Sequence, residues 1–186
     1  TGRIGRHVVR IARGFGLNVI AHDARPDNQF AEMAGVSYQS FPELLAKSDI
    51  VTLHVPALPE TEHLLNTVTF AQMKPGAILI NTSRGSVVET QAMVVALKSG
   101  HLAGAALDVL EEEGVIRDEL DLLVAGHPEE HNLKTVLANH VLINLPNVMV
   151  TPHNAFNTNE ALQRILGTTL DNLRGLIAGT PVNIVP

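Results

Sequence analysis

Four short apolar runs constrain this chain most. They are D-I-V-T-L-H-V (49–55), A-I-L-I-N-T (77–82), H-L-A-G-A-A-L-D-V (101–109) and V-M-V-T (148–151). Turn residues bound each run, and each is too continuously apolar for a strand with one face in water. Helical patterns lie between them. F-P-E-L-L-A-K-S carries proline in its first turn. N-T-V-T-F-A-Q-M has Asn66 placed as a cap, and E-T-Q-A-M-V-V-A-L-K-S-G is closed by Gly100. Upstream, F-A-E-M-A-G reads as a helix stopped by Gly35 and V-S-Y as a strand. Strands alternating with helices predict an α/β fold with a parallel sheet covered on both faces. Ligands of such a sheet sit beyond the carboxyl ends of its strands.

The chain opens on T-G-R-I-G-R-H-V-V-R-I-A-R-G-F-G, a glycine turn running into a helix. Ile4, Val8, Ile11 and Phe15 recur at helical spacing and predict the apolar face, with Arg3, Arg6, Arg10 and Arg13 in water. Gly2 allows a ligand to approach the backbone, and Gly5 allows the helix to pack closely on a sheet. Unpaired N–H groups at such a helix start favour a phosphate. The run matches the tail of G-x-G-x-x-G, whose first glycine and leading strand would precede Thr1. Asp23 follows Gly5 by eighteen residues, after L-N-V-I-A-H. It reads either as the acid that accepts from ribose hydroxyls or as a turn residue before Pro26. In the first role it favours NAD over NADP, although Arg25 is close. Together these features predict a Rossmann-like doubly wound sheet lacking its first strand, with two strand edges left without partners.

Composition narrows the function. The 186 residues carry a formal net charge of −6, which fits neither nucleic acid nor an anionic membrane. There is no cysteine, hence no disulfide framework and no thiolate metal site. Aromatic residues make up 3% of the chain, too few for a base-stacking platform. His127 and His131 stand four apart but have no evident third ligand, and no metal is expected.

Polar residues cluster just past the apolar runs: His54, then Thr82-Ser83-Arg84-Gly85, then Asp108, then Thr151-Pro152-His153-Asn154. Glu113 follows Asp108 by five residues. An arginine binds a planar carboxylate through two parallel hydrogen bonds. A histidine trades a proton near neutral pH, and a carboxylate on its other nitrogen favours the charged form. That set suits a 2-oxo acid. Each residue also has a plainer reading. Arg84 could cap a strand, Glu113 could belong to a solvated acidic run with Glu111 and Glu112, and His153 could be a satisfied turn histidine.

The motifs T-G-R-I-G, L-H-V-P-A-L-P-E-T-E-H-L-L-N, K-P-G-A-I-L-I-N-T-S-R-G, G-A-A-L-D-V-L-E-E-E and N-V-M-V-T-P-H-N-A-F resemble the NAD-binding domain of the D-isomer-specific 2-hydroxyacid dehydrogenases. T-P-H-N-A-F-N-T-N-E-A-L resembles the D-lactate dehydrogenase branch. The resemblance implies NAD as cofactor and a small 2-oxo or 2-hydroxy acid as substrate, with pyruvate and D-lactate as the pair. It implies that Arg84 binds the substrate carboxylate, that His153 is the acid/base, and that Glu113 is the partner of His153. It also implies cofactor contacts from Gly2, Arg3, Ile4, Gly5, Asp23, Val55, Pro56, Thr61, Thr82, Ser83, Arg84 and Asp108. Glu113 is followed by Gly114 where many relatives have proline.

The implied organisation is a dinucleotide-binding domain over 1–156 with an insertion at about 110–145, a connecting helix over 157–178, and a return over 179–186 towards a substrate domain. A homodimer through the cofactor domain and a cytoplasmic setting are expected, and residues 1–186 alone are not expected to turn over substrate. Glyoxylate/hydroxypyruvate and phosphoglycerate enzymes of the family, and a dinucleotide-sensing corepressor-like protein, are the alternatives.

Overall fold

A computed structural model describes residues 1–113 and 133–184. They fall into two units, Thr1–Pro152 and His153–Pro186. Among the described residues the first unit holds the strands β1 (Ile20–Ala21), β2 (Ser37–Tyr38), β3 (Ile50–Leu53), β4 (Ala77–Asn81), β5 (Leu102–Leu107) and β6 (Val148–Val150). Its helices are α1 (Arg3–Gly14), α2 (Asn28–Ala34), α3 (Phe41–Lys47), α4 (Thr67–Gln72), α5 (Thr90–Lys98) and α6 (Leu133–Ile143). The strands pair in parallel, in the orders β1-β2 and β3-β4-β5-β6. The predicted parallel α/β architecture therefore holds. The strands form two hydrogen-bonded groups, with β1 and β3 unpaired to each other.

The helix limits follow local chemistry. The Asn66 side chain accepts from Val68 N and Thr69 N at the start of α4, as its position predicted. Asp27 caps α2 by accepting from Phe30 N at 3.0 Å. Gly35 ends α2 in the left-handed region at φ 63°, where a β-carbon would be strained. Gly100 takes φ 77° just after α5.

Two sequence expectations are corrected. Among the described residues the second face of the β3–β6 sheet is covered only in part, with Ile80 and Ala106 half-buried. Val51, Leu53, Leu79, Ala105 and Leu107 point into one core with Leu45, Phe70, Met73, Met93 and Leu142. The alternate positions Ile50, Ile78 and Met149 are exposed, Met149 at 67%. A period of two in the strand separates the faces even where both are apolar. In α1 the buried residues are Gly5 and Val9, while Ile4, Ile11 and Phe15 are exposed. The large side chains lie on the face that faces away from the core. Nor is Arg6 wholly in water. Its guanidinium pairs with Asp27 at 2.5 Å and lies over the Phe30 ring, fastening α1 to α2.

The second unit contains α7 (Asn159–Ile177), started by Thr158, which accepts from Ala161 N at 3.2 Å. Gly179 follows at φ 70°, in keeping with the predicted closure. No helix among the described residues is long and apolar enough to cross a membrane. Most of the region read as an insertion, with His127 and His131, lies outside the described residues, as does the end of the closing segment.

The two faces of β4 predict different costs. Leu79→Ala, at a fully buried position, should lose about 2–5 kcal/mol in urea unfolding. Ile78→Ala, one residue away and 38% exposed, should lose clearly less. Equal losses would contradict the one-sided core.

Candidate active site

The carboxyl ends of β3 and β4 meet the start of α1 at a cleft of about 410 Å³. It is lined by Ile4, His54, Val55, Pro56, Ala57, Thr82, Ser83 and Arg84. Ile4 is exposed because it forms this wall. Gly2 caps α1 without a side chain, and no acidic residue stands in the first helical turn. The leading N–H groups of α1 lack intrahelical acceptors, and the positive end of the helix dipole lies there. Gly5 is buried next to His54, but a β-carbon built on it would meet His54 Cβ at 3.8 Å, an ordinary contact. Close packing alone does not demand glycine there, contrary to the sequence expectation.

The turn after β4 is held from below. Asn81 is 1% exposed. Its Oδ1 accepts from Ser83 N (3.0 Å) and Ser83 Oγ (2.8 Å), and its Nδ2 donates to Arg84 O (2.9 Å). The Ser83 hydroxyl is thus turned inward while Thr82 and Arg84 stay exposed at the cleft. Arg84 itself donates to Ser83 O at 2.7 Å. Thr61 is not a lining residue. Its hydroxyl donates to Pro56 O (2.7 Å) and accepts from Leu58 N (2.9 Å), which closes the loop that carries Val55 and Pro56.

Asp23 stands just after β1, where the sequence placed it. Its carboxylate accepts from the Thr1 amine, from the Thr1 hydroxyl at 3.1 Å and from Arg25 N at 2.9 Å. Arg3 is exposed in the first turn of α1. Asp108, 5% exposed, accepts from Thr151 Oγ1 at 2.5 Å, and its backbone N donates to Asn81 O. Glu113 Oε2 accepts from Leu110 N at 3.3 Å.

Arg84 and Glu113 belong to the first unit, and His153 opens the second. His153 adopts φ 51° and meets the Phe156 ring edge-on at 6.2 Å. Sequence reasoning did not single out Asn81 or His63, and it named Glu111 only as a member of a solvated acidic run. The only visible signal for Glu111 was its place in the D-V-L-E-E-E run.

A family model described as "D-isomer specific 2-hydroxyacid dehydrogenase, NAD binding domain" matches residues 1–155. The chain belongs to that family. It is 42% identical to the 2-hydroxyacid dehydrogenase A of Aspergillus oryzae over 176 residues, which cover 95% of this chain and 48% of that protein. It is 40% identical to a D-lactate dehydrogenase of Escherichia coli over 182 residues, covering 96% of this chain and 52% of the relative. The crystal structure of D-lactate dehydrogenase from Aquifex aeolicus, complexed with NAD and lactic acid, superimposes with a TM-score of 0.86 at 35% identity. That match covers 97% of this chain and 52% of the other. The chain spans about half the length of the curated relatives it matches. NAD fits the residues present: a cleft with apolar walls, a helix start free of acidic side chains, and one guanidinium.

Burial within this cleft lowers the pKa of His54 below its ordinary 6.5. Below pH 6.5 the unfolded chain takes up a proton that the folded chain resists, so stability falls with acidification there. His54→Gln should flatten that part of the pH–stability curve. An NMR titration placing the ring at or above 6.5 would contradict the prediction.

Proposed function

We propose that this chain supplies the cofactor-binding side of an NAD-dependent oxidoreductase that interconverts a small 2-oxo acid and its D-2-hydroxy acid, with pyruvate and D-lactate as the pair. The cleft carries the reading. Its apolar walls, Ile4, Val55 and Pro56, suit the flat rings of a dinucleotide, and the start of α1 suits the pyrophosphate. Arg84 offers a planar fork for a carboxylate in the same space. The relatives named D-lactate dehydrogenase support the choice of substrate.

In this reading Arg84 anchors the substrate carboxylate and steadies its carbonyl. His153 donates a proton to the carbonyl oxygen during reduction and recovers it in the reverse direction. Glu113 holds the imidazolium form of His153, and Asp108 holds the nicotinamide end of the cofactor. The bound cofactor supplies the hydride. Asp23 accepts from the adenosine ribose hydroxyls and repels a 2′-phosphate. The domain assignment belongs to the same proposal: residues 1–156 bind the cofactor, 157–178 connect, and 179–186 lead towards a substrate domain that closes the site against water. So do a homodimer through the cofactor domain, to be checked by sedimentation, and a cytoplasmic setting, which a chain without cysteine suits.

The test is a panel of 2-oxo acids with NADH, and D- against L-lactate with NAD, on the full-length protein. Pyruvate reduction and oxidation of the D-isomer alone are expected. Turnover of glyoxylate, hydroxypyruvate or a phosphorylated substrate in place of pyruvate would move the assignment within the family, and no turnover of any 2-oxo acid would overturn it. His153→Ala should lower turnover by about 10²–10⁴-fold with little change in NADH affinity. Arg84→Lys should restore little of what Arg84→Ala loses, because lysine keeps the charge but not the two-point fork. Near-wild-type kinetics for the lysine variant would reduce Arg84 to a nearby charge.

The wild-type protein should prefer NADH to NADPH, and Asp23→Ala should narrow that preference in paired KM measurements. A wild-type preference for NADPH would exclude Asp23 from the ribose.

A further inference from the structure

Glu111 lies in a run of three acids, yet its side chain is only 13% exposed. Both carboxylate oxygens are occupied. His63 Nε2 donates to Oε1 at 2.7 Å, and Thr90 N, at the first residue of α5, donates to Oε2 at 2.7 Å. A carboxylate only accepts, so the Nε2 of His63 carries its proton whatever the charge of the ring. The backbone oxygen of Glu111 accepts from Asn139 Nδ2 at 2.6 Å, and Asn139 is fully buried in α6. Helix starts favour negative charge, which adds to the hold of α5 on this carboxylate.

The same residue is locked to the turn that bears Arg84. A β-carbon on Gly85 would stand 2.1 Å from Leu110 C and O and 2.4 Å from Glu111 N. That peptide therefore lies flush against Gly85, and any side chain there would force backbone to move. His63 completes a ring. Its backbone N donates to Ser86 O at 2.8 Å, its own φ is 47°, and its carbonyl accepts from Asn66 Nδ2 at 3.0 Å. The circuit runs from Gly85 and Ser86 through His63 to Glu111 and back to Gly85. Arg84 lies one residue to one side of it and Glu113 two residues to the other.

We infer that Glu111, with His63, is a positioning residue that sets the spacing between Arg84 and Glu113. Glu111 does not face the cleft; it acts through the segments it joins. The inference rests on the roles proposed above for Arg84 and Glu113. A group whose two oxygens tie a loop to a helix start and to a neighbouring loop restrains that loop in every direction it could swing. The carboxylate two residues on inherits the restraint.

The experiment compares Glu111→Ala, Glu111→Gln, His63→Gln and Glu113→Gln in the full-length protein, each normalised to the folded fraction by circular dichroism. Glu113→Gln sets the reference, because removing the proposed partner of His153 should lower the apparent pKa of reduction. Glu111→Ala should displace the pH profile of kcat in the same direction. It should also lower kcat by tenfold or more, up to the order of 10²-fold that a misplacement of about 1 Å costs, with KM for NADH nearly unchanged. Glu111→Gln keeps an acceptor for Thr90 N and should recover most of kcat. His63→Gln, at a more exposed site, should give a smaller displacement of the same sign and serves if Glu111→Ala fails to fold. Hydrogen exchange at the amides of Thr90 and Leu110 should quicken in Glu111→Ala while that of β4 and β5 stays put. If Glu113→Gln moves the profile but the Glu111 and His63 variants leave both profile and exchange unchanged, the positioning role is wrong and the proposed function stands. If Glu113→Gln itself leaves the profile unmoved, the role of Glu113 falls and the inference falls with it.

Discussion

The site hangs on one buried amide. Asn81 ends β4, which pairs with β3 on one side and β5 on the other, so the turn after it opens between the walls of the cleft. A buried amide left without partners costs about 1–3 kcal/mol, which drives Asn81 to find acceptors and donors nearby. It finds them in Ser83 and Arg84. Its backbone oxygen also accepts from Asp108 N, so the same residue sets the start of the next functional segment. A turn that did not meet the Asn81 amide would leave buried polar atoms without partners. Arg84 is anchored through its backbone oxygen by Asn81, and its guanidinium folds back to donate to Ser83 O.

Much of the fold was legible because its signals are local. Asn66, Gly35 and Gly100 mark helix ends through chemistry within four residues, and the structure uses each as expected. Burial was less legible. A run such as A-I-L-I-N-T has apolar residues at both phases of the pleat, so sequence alone cannot say which phase meets the core. Leu79 does and Ile78 does not, because the helices that bear Phe70 and Met93 cover one face. The face of α1 was misjudged for a related reason. Counting large apolar residues favours Ile4, Ile11 and Phe15, whereas the residues the structure buries are Gly5 and Val9.

The site divides along the same line. Arg84, Asp23 and the start of α1 announce themselves by position relative to a strand or a turn. Glu111 does not. Its partners are 48, 28 and 21 residues distant in sequence, at His63, Asn139 and Thr90. Nothing periodic links those positions, and an acidic triplet ordinarily signals a solvated surface. Only the fold shows that Glu111 is largely buried while Glu112, at φ 51°, is exposed. Thr61 is a second case. Its hydroxyl closes the loop that carries Val55 and Pro56, a role that no local sequence signal announces.

The charge of the chain and the charge of the cleft have opposite signs, and distance decides which one a ligand meets. The formal net charge is −6, which opposes a dinucleotide or a 2-oxo acid at long range. Salt screens that repulsion beyond about 8–10 Å at physiological ionic strength. Within the cleft the nearest groups govern. Among the described lining residues Arg84 carries a fixed positive charge, and none is a carboxylate. His54 is kept neutral by burial down to a lower pH than an ordinary imidazole, so it adds a polar edge without a competing cation. The start of α1 adds partial positive charge with no acidic side chain to cancel it. Two anionic groups can then be told apart by geometry. A phosphate matches the converging N–H groups of a helix start, and a planar carboxylate matches the guanidinium fork. Had a second cation lined the cleft, a carboxylate would have had two comparable positions. With one, the orientation proposed for the carboxylate would follow from the Asn81-held turn that carries Arg84.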